Sequence, residues 1–153
     1  MGRMTDDRMA DIYAAVRLGG VDRAAARQAL RALWDEMGEN SGPLYRCVIA
    51  HHLADVQETA EEALFWDRRA LDSAFTPGIP LDEGIRGFLP SLYLSLADSH
   101  RLVGDFDSAR MQLALARGHI GVLPNDAYRH VIRTGLEHVE AALDAESTER
   151  LAC

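Results

Sequence analysis

The chain has 153 residues, 48% of them hydrophobic and 26% charged, with a formal net charge of −8. A chain of that length buries roughly 70% of its unfolded surface, so it builds a core without disulfide or metal staples. The acidic balance repels phosphate backbones and anionic lipid, which argues against nucleic acid and membrane as partners.

No run approaches the roughly 18 apolar residues that a membrane span needs. The start, "MGRMTDDRMADIYAAV", carries two aspartates where a secretory leader needs a basic and then an apolar stretch. Together these lead to the expectation of a cytoplasmic protein. All 16 basic residues are arginine, none is lysine, and there are 23 alanines. That bias is typical of a GC-rich bacterial genome, and it excludes lysine chemistry. The two cysteines, Cys47 and Cys153, form neither a disulfide framework nor a metal spacing. Cys47 lies in an apolar run and reads as a reduced core residue.

Helical periodicity runs along most of the chain. Met9, Ile12, Tyr13 and Val16 form one stripe, and the glycines of "RLGG" stop it. Asp22 caps a second helix, "RAAARQALRALWDEM", with Ala26, Leu30, Leu33 and Met37 on its apolar side. "GENSGP" is a turn cluster. A third helix runs from Pro43 or Leu44 to about Val56. A fourth follows in "ETAEEALFWDRRALDSAF", where Thr59 and Glu62 have capping-box spacing.

The stretch from Thr76 to Gly87 is predicted to be a long break, an insertion rich in proline and glycine. The fifth helix is "FLPSLYLSLADSHRLV", with Pro90 in its first turn, and the sixth is "DFDSARMQLALARGHI". After the turn "GVLPND", Val131, Leu136, Val139 and Leu143 mark the apolar side of a seventh. The expectation is an all-α fold of about seven helices. It forms one domain over residues 4–145, with loose termini at 1–3 and 146–153.

In the third helix pair Tyr93 is followed by Leu96 and Ala97, then Gly104, Asp105, Phe106, Ala109, Leu113 and Ala116. This series resembles the tetratricopeptide repeat, with its large residue, Leu-small pair, Gly-Asp-aromatic turn and later alanines. The other pairs match more weakly. Ala24, Ala63 and Ala109 occupy equivalent places at spacings of 39 and 46, against a period of about 34 in a strict array. In the first pair Arg8 and Asp11 stand where large apolar residues belong. The resemblance implies antiparallel helix pairs stacked as a short superhelix, with the last helix as a cap. An irregular all-α bundle is the alternative.

The resemblance also implies a concave groove made by the first helix of each pair. In this chain that groove comprises Met9, Tyr13 and Arg17, then Val48, His52 and Asp55, then Leu94, Asp98 and Arg101. Arg101 and His52 are expected to recognise the partner, with Asp98 orienting the guanidinium. The competing reading pairs these charges with one another on a solvated face, worth about 0–1 kcal/mol per pair. The family's lysine-based grip on a C-terminal carboxylate has no counterpart here.

His52 and Asp55 sit at i, i+3, but two such residues are common in helices and make no metal site. Trp34 and Trp66 read as packing residues. No nucleophile, phosphate-loop or dinucleotide motif occurs, so no catalytic residue and no cofactor are expected. The functional expectation is a non-enzymatic module that binds a peptide or helix of a partner protein, or a second copy of the chain. The alternative is a regulatory sensor of a small molecule or signalling peptide. A metal-binding helical-bundle enzyme is a third, weaker reading.

Overall fold

The computed structural model of the chain describes residues 5–37 and 42–151. Those residues form seven α-helices and one short 3-10 turn, with no strand. The expected turn at 38–41, the termini at 1–3 and Cys153 lie outside the described residues. The helices gather into two compact units, Met1–Ile79 and Pro80–Cys153.

The first unit holds α1 (Thr5–Leu18), α2 (Arg23–Met37), α3 (Pro43–Asp55) and α4 (Ala60–Ala74). α3 is its centre and packs against the other three. Its Cys47, Val48, Ile49, Ala50, Leu53 and Ala54 are all buried, so it is apolar nearly all round. The Cys47 thiol points at the Ala70 carbonyl at 3.2 Å, as befits a core cysteine. α2 turns one stripe inward, Ala26, Leu30, Trp34 and Met37. Trp34 takes the inner place expected for Leu33.

Two arginines of α2 close the C-terminal end of α3. Arg23 donates to the carbonyls of Asp55 (3.0 Å) and Gln57 (3.1 Å), and Arg27 to that of Val56 (2.8 Å). These carbonyls have no partner within the helix, and cations at this end also suit its dipole. Thr59 caps α4, its hydroxyl accepting from the Glu62 amide at 3.2 Å.

The second unit holds α5 (Glu83–Leu102), α6 (Phe106–His119), the 3-10 turn Ile120–Val122 and α7 (Ala127–Asp144). α5 packs against both α6 and α7. It begins earlier than the sequence led us to expect. Asp82 accepts from the Ile85 amide at 2.8 Å and caps the helix, so Glu83–Gly87 are helical and the break is confined to residues 75–82. Pro90 is therefore inside the helix and buried, not in its first turn.

The α5–α6 corner is a glycine stop. Gly104 adopts φ 85°, and the amides of Gly104 and Asp105 donate back to Arg101 and His100 at 2.9 Å each. Asp105 then caps α6. Ala97, Ala109 and Ala116 have no exposed surface, which lets α5 and α6 lie close. On α7 the buried stripe is Ile132, Leu136, Val139, Ala142 and Leu143. Val131, expected on the apolar side, is 62% exposed.

Candidate functional site

The sequence-derived groove residues are divided between the two units. On α1, Met9 is half-buried and Tyr13 and Arg17 are exposed. On α3, Val48 is buried in the core, so it lines no groove. His52 is half-buried, and its Nδ1 lies 3.8 Å from the Asp55 carboxylate. The His51 and His52 rings meet edge-to-face at 5.1 Å. Burial lowers both imidazoles to about 4, and in His52 the neighbouring His51 adds to the effect while Asp55 opposes it.

In the second unit, Leu94 packs over Gly135 of α7. A methyl group added at Gly135 would lie 2.7 Å from the Leu94 side chain. Asp98 does orient Arg101, accepting from its Nε at 2.8 Å. Arg101 itself is the main correction to the expected groove. Its side chain is 0% exposed, and its Nη1 donates to the carbonyls of Ser147 and Glu149 at 2.8 Å each. Its donors are spent inside the unit and hold the segment after α7, which the sequence had marked as a loose tail.

An open surface lies on α2, α3 and α4 of the first unit. Trp34 and Trp66 are buried and meet edge-to-face at 5.4 Å, and Phe65 meets Trp66 in the same way at 5.4 Å. Arginines lie over these rings. The Arg46 guanidinium is 3.8 Å from the Trp34 centroid, and Arg69 is 4.6 Å from that of Phe65. Arg31 lies 5.4 Å from Trp66. Such contacts fix the guanidinium planes and contribute about 0.5–1 kcal/mol each at exposed sites.

Two open clefts share Phe65, which is 50% exposed. One, of about 550 Å³, has Arg27, Arg31, Glu61, Glu62 and Trp66 on its walls. The other, of about 570 Å³, has Trp34, Arg46, Arg68, Arg69 and Asp72. Arg46, Arg68 and Arg69 make no hydrogen bond or ion pair through their guanidiniums among the described residues. By contrast Arg23, Arg27, Arg101, Arg110, Arg117 and Arg129 all spend donors on the chain's own oxygens.

Sequence reasoning placed the tryptophans as packing residues and passed over the arginines between them. The available signal was "FWDRR", two aromatics and two arginines one turn apart on α4. Its meaning depends on Arg46 and Trp34 arriving from other helices.

Among the described residues no group of three or more His, Cys, Asp or Glu is placed to hold a metal ion. Nor, among them, is any helix long and apolar enough to cross a membrane. No protein-family model matches the chain, and no match was found among curated proteins or solved structures.

Proposed function

We propose that the chain is a non-enzymatic interaction module that holds a peptide or helical segment of a partner protein. The reading rests on one observation: two open clefts meet at a half-exposed phenylalanine backed by two buried tryptophans. Interaction hot spots favour this composition, with aromatic anchors and arginines set in a packed surround. The corner between α5 and α6, with its left-handed Gly104 and buried alanines, supports a tetratricopeptide-like helix pair. The binding face proposed here differs from the concave groove of that family. It lies mainly on the second helices, α2 and α4, with Arg46 contributed by α3, and Val48 and Arg101 take no part because they are buried.

The test is selection of binders from a displayed random peptide library on the whole chain, followed by titration of the enriched peptides. Phe65→Asp should abolish their binding while leaving the helical circular dichroism unchanged. Enriched peptides that bind Phe65→Asp as well as wild type would move the site elsewhere, and no enrichment at all would remove the reading.

A further inference from the structure

Among the described residues, the cleft of about 570 Å³ is lined by three arginines, Arg46, Arg68 and Arg69, and by one carboxylate, Asp72. In a chain of net charge −8 this is a local reversal of sign. An arginine lying on a ring uses its π face for that contact and keeps its N–H edge free for an acceptor. Arg46 and Arg69 are held in this way, by Trp34 and Phe65 respectively. Two of the three cations thus have part of their side-chain entropy already removed, which favours bidentate capture of an oxyanion. The neighbouring cleft has a different sign pattern, since Glu61 and Glu62 stand there beside Arg27 and Arg31. A long polyanion crossing Phe65 would meet those carboxylates. A short acidic segment confined to the first cleft would not.

We infer that this cleft docks a short acidic segment of a partner protein in which an aromatic or large aliphatic side chain adjoins the carboxylates. The carboxylates take the free edges of Arg46, Arg68 and Arg69, and the apolar side chain takes Phe65. The inference rests on the interaction-module reading and specifies its ligand.

The test uses the same displayed library on the whole chain, panned in parallel on wild type and on Arg46→Gln/Arg68→Gln/Arg69→Gln. Wild type should enrich sequences with Asp or Glu next to Phe, Trp or Leu, and the triple variant should lose them. A synthetic peptide of that kind should bind Arg68→Gln about tenfold more weakly, and more weakly again in high salt. Arg68 contacts no ring among the described residues, so this variant separates recognition from packing should the triple variant fail to fold. Arg133→Gln, on exposed α7 surface, should bind as wild type does. Enrichment of neutral or basic peptides would overturn the acidic specificity and leave the module reading standing. So would equal affinity of Arg68→Gln and wild type for the acidic peptide. No enrichment of any peptide would overturn both.

Discussion

Arg101 shows how one buried cation can organise a segment far away in sequence. It has no exposed surface and touches Asp98, Ser147 and Glu149. Hydrogen bonds to a charged group contribute about 1.5–3 kcal/mol each, and losing the donor strands its acceptors. Arg101→Ala should therefore destabilise the second unit by about 2–4 kcal/mol and raise amide exchange in residues 146–151. Urea denaturation and hydrogen exchange check both, and an unchanged urea midpoint would refute the latch. A second feature sits in the segment that it holds. Glu146 adopts φ 50°, the left-handed conformation that glycine takes at a helix stop, and its amide donates to Leu143 at 2.9 Å. A side chain there costs on the order of 1 kcal/mol. Glu146→Gly should accordingly raise stability by about 0.5–1 kcal/mol, seen as a higher melting temperature. Part of this was legible in the sequence. The i, i+3 spacing put the Asp98 carboxylate beside Arg101. The other acceptors are backbone carbonyls 46 and 48 positions on, and no local pattern announces a carbonyl as a partner. That is why Arg101 read as a free groove residue.

At the scale of helices, the caps Asp22 and Thr59 were legible because they are local, whereas Asp105 and Asp126 read only as turn residues. Asp22, Thr59, Asp105 and Asp126 each accept from an amide three residues on, because a short oxygen-bearing side chain at that place satisfies a donor that the helix cannot. The start of α5 was not read correctly. The two prolines and three glycines of residues 76–87 argued against helix there, and Asp82 outweighed Gly84 and Gly87 by capping the first turn while Ile85 and Leu89 were buried. Asp82→Ala should cost about 1 kcal/mol and fray the first turn of α5. Thermal melts and exchange at Ile85 would show it. Proteolysis after Arg86, natural to expect of a loop, loses its basis because Arg86 is helical. The α5–α6 pair carries the firmest packing prediction. Ala109 is fully buried at the start of α6, and a leucine there overpacks a close contact at a cost of about 1–3 kcal/mol. An unchanged melting temperature for Ala109→Leu would mean that α6 meets α5 on another face.

Across the whole molecule, acid sensitivity and its reporter fall in the same unit. His51 and His52 lie on α3 with folded values near 4, against an ordinary value of 6.5. Both of the chain's tryptophans, Trp34 and Trp66, belong to that first unit as well. The sign of the linkage follows from the direction of the shift. As pH falls below about 6.5 the unfolded chain takes up protons that the folded unit refuses. The stability that these neutral imidazoles represent is present in full above about 6.5 and is lost towards about 4. Each histidine contributes a slope of up to about 1.4 kcal/mol per pH unit within that window. Urea midpoints read by tryptophan fluorescence should therefore fall between pH 7.5 and pH 5.5, before most carboxylates begin to titrate. His51→Gln should flatten the fall by at least half, because one of the two refused protons no longer exists and the neighbouring charge that helps to lower His52 goes with it. His52→Gln should leave the His51 part of the fall in place, because the His51 shift comes from burial. It also takes from Asp55 the imidazole that its carboxylate faces at 3.8 Å. A pH dependence identical in wild type and His51→Gln would show that α3 admits water or protons more freely than its burial implies.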